Sequence, residues 1–185
     1  MRVRCECGNV QGTYSLVAAR FANRVTCYCD DCQRFAHWLG RPECLSTRGG
    51  TDIIQIPPAA LTLDANSTVS GVWAPASKTQ RWYCVNCRLP LANTVQGLPF
   101  VGLFRVGVAA DDQELGEAIG TSAASIFGEF SIEPQALPHG IPFGLRLRSI
   151  IKVMDWYRKG LSAPNAFFAA DGSASYPLVR CSWST

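Results

Sequence analysis

Seven of the nine cysteines in this chain fall into three tight groups: Cys5-x-Cys7, Cys27-x-Cys29-x-x-Cys32 and Cys84-x-x-Cys87. Thiols one or two residues apart do not readily pair with each other, because a disulfide needs a narrow range of Cα separation and dihedral angle. The same spacing suits a tetrahedral thiophilic metal that draws two neighbouring ligands from one segment. The odd cysteine count and the absence of an apolar export segment at Met1-Arg2-Val3-Arg4-Cys5 also fit a disulfide scaffold poorly. Zinc is the default ion for such donors, and iron–sulfur ligation is the rival.

The clustered thiols divide naturally into four and three. Cys5 and Cys7 with Cys84 and Cys87 would make a closed four-thiolate shell. That shell closes a loop of about 80 residues, so metal binding would add directly to folding free energy, and the group reads as structural. Cys27, Cys29 and Cys32 can hold one ion locally and leave its remaining position to water or an incoming ligand. Three thiolates leave a zinc site with net negative charge, which weakens it as a Lewis acid toward water. Such a site still accepts another thiol and keeps it deprotonated near neutral pH. Thiolate delivery, rather than hydrolysis, is the chemistry this favours. In the alternative reading His37 or Cys44 closes the second group and makes it structural too, since Cys32-x₄-His37 is a workable spacing. Cys44 and Cys181 otherwise read as ordinary buried or surface cysteines.

Cys5-Glu6-Cys7-Gly8, Cys27-Tyr28-Cys29-Asp30-Asp31-Cys32-Gln33-Arg34 and Trp82-Tyr83-Cys84-Val85-Asn86-Cys87 together resemble the family of glutathione-dependent formaldehyde-activating enzymes and centromere protein V. That family runs CxCG, CxCxxCR and aromatic-CxxC in this order, and the resemblance spans residues 3–108. It implies a β-tent-like zinc fold, with one zinc on Cys5, Cys7, Cys84 and Cys87. It implies a second, labile zinc on Cys27, Cys29 and Cys32, the residues that would carry catalysis, with glutathione bound there. The family activity is a carbon–sulfur lyase type, the condensation of glutathione with formaldehyde to S-hydroxymethylglutathione. Arg34, two residues past the last ligand, is the first candidate to meet a glutathione carboxylate, and Arg41 and Arg81 are weaker ones. The chain departs from the family pattern in three places. Arg88 stands where Gly usually follows the last CxxC, Gln33-Arg34-Phe35-Ala36-His37-Trp38-Leu39-Gly40 replaces Arg-Arg-x-x-Gly, and the customary C-terminal ending is not recognisable. The second functional reading is a non-catalytic zinc-stabilised module that binds a protein partner.

The remaining 176 or so positions must hold these thiols in place. At 185 residues and 20.1 kDa, with 48% hydrophobic and 17% charged residues, the chain fits one domain plus a modest appendage. A net charge of +3 without a basic, aromatic stripe argues against nucleic acid as partner. No run of residues is apolar for long enough to cross a membrane, and the expectation is a cytoplasmic protein with no membrane contact. Sixteen glycines and eleven prolines among short apolar runs point to a mainly β fold of short antiparallel strands.

The runs place a hairpin arm over 1–16 and strands at 21–28, 51–56, 61–63, 69–73, 79–84, 91–96 and 100–108, with 33–50 irregular. The acidic residues Asp111, Asp112, Glu114 and Glu117 read as a solvated face. Leu147, Ile150, Ile151 and Met154 recur at helical spacing among Arg146, Arg148, Lys152, Arg158 and Lys159, and Gly160 is a helix stop. This predicts a C-terminal amphipathic helix over 145–159; a basic helix of this kind could touch a membrane or a partner, and the favoured reading packs its apolar stripe on the sheet with its Lys and Arg stems alongside. The domain reading is a zinc-binding β unit over 1–140, with the helix and tail, 141–185, packed on it.

Overall fold

The computed structural model describes residues 1–15, 23–73, 78–95, 97–109, 113, 117, 124–134 and 137–181. Their strands form two sheets. The smaller holds β1 (Arg2–Arg4), β2 (Gln11–Tyr14), β5 (Leu61–Leu63) and β10 (Val108–Ala109) in the order β10-β1-β2-β5. The larger holds β3 (Asn23–Cys27), β4 (Thr51–Ile56), β6 (Val69–Trp73), β7 (Thr79–Cys84), β8 (Pro90–Val95), β9 (Val101–Phe104), β11 (Ala124–Ile126) and β12 (Leu178–Arg180). Its order is β11-β3-β4-β9-β8-β7-β6-β12. Neighbours are antiparallel except at the two edges, where β11 joins β3 and β12 joins β6 in parallel. The mainly β expectation holds, and the all-antiparallel one is corrected at those edges.

Alternation explains the outer strands. β2 reads Gln-Gly-Thr-Tyr with only Gly12 and Tyr14 turned inward, so one face is wet. Central strands such as β9 are buried on both faces and read as unbroken apolar runs. The main core joins Val3, Tyr14 and Leu61 of the small sheet to Ile54, Trp82 and Leu103 of the large one. The expected strand at 100–108 is divided between the sheets. It leaves β9 at Phe104, makes one 3₁₀ turn over Arg105–Gly107, and enters β10 against β1. Phe21 of the expected strand at 21–28 and Asp111, Asp112 and Glu114 of the acidic cluster lie outside the described residues, and Glu117 is exposed.

Among the described residues, two long helices flank the sheets. The first, α1 (Asp30–Trp38), corrects the reading of 33–50 as irregular. Cys32, Phe35, Ala36 and Leu39 are its buried positions, at i, i+3, i+4 and i+7, and this period was hidden because Cys32 was counted as a ligand instead of an apolar residue. Asp30 and Asp31 face the positive end of the helix dipole, and Gly40 at φ +68° ends it. The second, α2 (Phe143–Arg158), stands where the C-terminal helix was expected, and its orientation differs. Leu147, Ile150, Ile151 and Met154 are 48–58% exposed, while Trp156 is buried. The stripe expected to pack on the sheet faces outward.

Beyond α2 the chain returns to the core. Phe167 is 1% exposed and stacks on the fully buried Trp82 at 4.9 Å between ring centroids. Gly71 makes room for this ring, since a Cβ there would sit 2.7 Å from it and from Leu178. Removing a buried aromatic ring leaves a cavity, so Phe167→Ala should destabilise the fold by about 3–5 kcal/mol. A urea midpoint unchanged in that variant would show that the tail is not part of the core.

Candidate metal centres

Two groups of thiols come together in space: Cys5, Cys7, Cys84 and Cys87, and separately Cys27, Cys29 and Cys32, the sulfurs within each lying inside 4.8 Å of one another. In the first group Cys5 to Cys7 is 3.4 Å and Cys7 to Cys84 is 3.6 Å; in the second Cys27 to Cys32 is 4.0 Å. A tetrahedron of thiolates about 2.3 Å from a central ion has an edge of about 3.8 Å, so both groups fit a metal ion. All seven thiols are free rather than bridged. The division into four and three made from spacing is the one the fold builds.

The four-cysteine group is made by two tight turns on different sheets. Cys5 and Cys7 leave β1, where Gly8 at φ +77° turns the chain and Val10 N–H donates to Cys5 Sγ at 3.2 Å. Cys84 ends β7, and Arg88 N–H donates back to the Cys84 carbonyl at 2.9 Å. Arg88 takes the left-handed conformation, φ +57°, at the position where the resembled family has Gly. Such a backbone costs a side chain of order 1–2 kcal/mol. Here the guanidinium offsets it, donating to Leu39 O at 2.9 Å and Trp38 O at 2.7 Å while lying 5.1 Å over the Trp38 ring. The carbonyls at the end of α1 gain a cationic partner, and the glycine becomes dispensable.

Arg41 ties the two turns together. It donates to Glu6 Oε1 at 2.6 Å on the first turn and to the Cys87 carbonyl at 2.8 Å on the second, and pairs with Glu43. Its contact with Glu6 raises its affinity for its proton further. Thr68 spans the same gap, its hydroxyl 3.3 Å from Asn86 Oδ1 while its N–H donates to Asn9 O at 2.9 Å. The exposed Cys7 thiol is lowered to about 7, mainly by the Asn9 backbone N–H, while burial raises Cys5 and pushes Cys84 up to about 12.

The three-cysteine group is built at one junction. Cys27 ends β3, Cys29 is the N-cap residue of α1, and Cys32 lies in its first turn. Cys32 N–H donates to the Cys29 carbonyl at 3.0 Å, which fixes their relative height. Val25, Ile53 and Ile126 wall the thiols, with Ile141 and Leu145 beyond. Cys29 alone is half-buried, and its thiol is lowered to about 3, chiefly by hydrogen bonds from Cys27 and then Cys32. Cys27 is raised by donating to Cys29. Among the described residues no histidine, carboxylate or further thiol completes the group. His37 is exposed on the last turn of α1, and Cys44 packs against the main core, so neither closes the second site.

Arginine placement corrects the ranking read from sequence. Two residues along a helix is a rotation of about 200°, so Arg34 lies opposite Cys32; it is 45% exposed and pairs with Asp30 at 3.6 Å. Arg81 is the cation beside the thiols. Its side chain is 4% exposed, it pairs at 3.4 Å with Asp31 between Cys29 and Cys32, and its charge adds to the lowering of Cys29 and opposes part of the rise of Cys32. Its Nε has no partner among the described residues. The signal was present, because on β7 Trp82 faces the core and its neighbour must face the side covered by α1. Gln33, in place of the family's Arg, donates to Tyr28 O at 2.7 Å and Phe130 O at 2.9 Å and anchors the start of α1.

The sequence profile described as "Family of unknown function (DUF6151)" matches residues 1–173. The chain belongs to this family. Both cysteine groups of this DUF6151 chain fall within the matched span. A crystal structure of a Rhodobacter sphaeroides protein is similar over 64% of this chain and 97% of its own, at 16% identity and a TM-score of 0.46. No curated protein sequence matches.

Two outcomes follow from the geometry. Cys84→Ser should abolish cooperative unfolding, because it opens the closed shell joining both sheets. Arg41→Met should keep the fold but weaken metal retention at the four-cysteine group by about 10–100-fold, as loss of an outer hydrogen-bonding partner does. Competition with a chromophoric chelator measures the latter, and an unchanged affinity would reduce Arg41 to a surface ion pair.

Proposed function

We propose that the three-cysteine group holds a zinc ion and binds a low-molecular-weight thiol, such as glutathione, for addition to a small aldehyde. The observation that carries this is the contrast between the two groups: one is closed by four thiols, and the other offers three beside a buried arginine. A zinc ion bound there would supply electrostatic stabilisation of an incoming sulfur as thiolate. The resemblance in CxCG, CxCxxC and CxxC supports the same reading, and with it a β-tent-like arrangement of the two sheets. The four-cysteine group holds a structural zinc on this reading.

The chain's own residues have distinct parts in the chemistry. Cys27, Cys29 and Cys32 supply negative charge, which disfavours hydroxide formation from water. Arg81, fixed by Asp31, offsets part of that charge without itself reaching solvent, so a fourth anionic sulfur is tolerated. Val25, Ile53 and Ile126 keep the surroundings apolar and strengthen that attraction. In the addition, the thiol sulfur forms a bond to the aldehyde carbon and the carbonyl π pair moves to oxygen. That oxygen takes a proton from water while the thiol's own proton goes to solvent, and the hemithioacetal results with no redox change.

Metal exchange tests the proposal. Zinc should leave in two kinetic classes, the faster abolished by Cys29→Ser in a protein that still melts cooperatively. Glutathione should perturb only that class, seen as a changed absorption spectrum when cobalt replaces the zinc. Arg81→Gln should weaken the thiol response by roughly tenfold, the order of one buried charge–charge contact, while leaving the response to neutral imidazole unaltered. Two equally slow zinc ions indifferent to glutathione would instead favour the non-catalytic, partner-binding module.

A further inference from the structure

Helix α2 has two apolar faces, and the fold uses one. The inner face is closed by Trp156 at 1% exposure, by Leu145 against the wall of the three-cysteine group, and by Ser149 at 3.4 Å from Asn23 Nδ2. The outer face presents Phe143 (79% exposed), Tyr157 (72%), Ile151 and Met154 (58% each), Ile150 (50%) and Leu147 (48%). At about 100° per residue these six fall in an arc of about 120°, on a helix of about four turns. Arg146 and Arg148 flank that arc on its two sides, and Arg158 lies within it one turn beyond Met154. The helix has one acidic residue, Asp155, and it is engaged by Lys159 at 2.7 Å.

We propose that this outer face docks on an anionic lipid bilayer, with α2 lying in the plane of the interface. An apolar stripe with basic residues at its margins is complementary to acyl chains below and acidic headgroups above, and arginine stems are long enough to reach up to the headgroups. A second copy of this chain would bring one arginine-rimmed face against another, so charge argues against self-association. Next to the stripe, an apolar groove of about 320 Å³ runs between α2 and the sheet, and it shares Ile150 and Met154 with the outer face. Leu98, 51% exposed, and Phe100 form its other wall. A groove opening onto the docking face suits an inserted acyl chain, whereas a peptide helix lying on the stripe would leave it unfilled. The stripe expected to pack on the sheet faces outward and is free for such a contact. Docking also sets the three-cysteine group about one helix diameter, 10–12 Å, from the lipid, whatever ligand that group takes.

Flotation of the purified 185-residue chain with vesicles tests this. Vesicles containing roughly one-third phosphatidylserine should carry the protein upward, and phosphatidylcholine vesicles should not. Ile151→Glu should abolish flotation, and Arg146→Gln with Arg148→Gln should weaken it by about 30-fold, at the usual contribution per surface cation. Phe143→Ser, at the most exposed position, provides a second apolar variant should Ile151→Glu fail to melt like the parent. Three results overturn the proposal. One is no flotation on the anionic vesicles, and another is equal flotation on both vesicle types. The third is a concentration-dependent dimer in sedimentation that Ile151→Glu dissolves, which would assign the face to a second copy. A complex with a glutamate-rich amphipathic peptide in the absence of vesicle binding would fall under the first of these and point to a protein partner.

Discussion

Four sulfurs, drawn from two turns 77 residues apart between Cys7 and Cys84, bring the end of β1 in the small sheet against the end of β7 in the large one. The small sheet alone is short of burial: β1 has three residues and β2 four, too few for an independent pair. A closed shell around an ion would supply what this small hydrophobic core lacks at that end. The contacts around it are consistent with such a demand. Arg41 and Thr68 bridge the same two turns, and Arg88 accepts a left-handed backbone in return for bonds to the end of α1. Local strain is tolerated where surrounding structure fixes the conformation.

Strand β7 links the two thiol groups mechanically. In four consecutive residues it carries Arg81 toward the three-cysteine group, Trp82 into the main core, Tyr83 against Phe35 of α1, and Cys84 into the four-cysteine group. Strand alternation sends these side chains to opposite faces at fixed spacing. Motion of one group relative to the other would require β7 to slide against β6 and β8, breaking ladders on both sides. The openness of the second group is therefore a property of its own junction between β3 and α1, not of a loose sheet.

The two groups also differ in how their thiols resist charging. In the three-cysteine group, proximity concentrates charge at the half-buried Cys29 and raises Cys27, so metal binding must displace protons there. Arg81 is the fixed cation that makes such crowding tolerable in an apolar wall. A buried guanidinium with one carboxylate partner and an unpaired Nε is costly to fold around unless it meets another anion. Cys29, whose lowered thiol this charge helps to hold, supplies that anion.

The grouping of the cysteines was legible in the sequence because chemistry at short range is written there. Paired cysteines at CxC and CxxC spacing have few other uses in a chain that builds no disulfides, and the division into four and three followed from their arrangement. Strands such as 51–56 and 79–84 were legible for the same reason, being short apolar runs bounded by turn residues. Helix α1 was present as a period in Cys32, Phe35, Ala36 and Leu39 but was masked by the other role of Cys32. What the sequence could not fix was direction. Which arginine reaches the thiols depends on the face of β7 that α1 covers, which chose Arg81 over Arg34. Which stripe of α2 is buried depends on where the large sheet presents a complementary surface. The apolar period shows that a helix has an apolar side; only the sheet edge at Asn23, with the wall around Cys27 and Cys32, decided that Leu145 and Trp156 face inward while Leu147 and Ile151 face out.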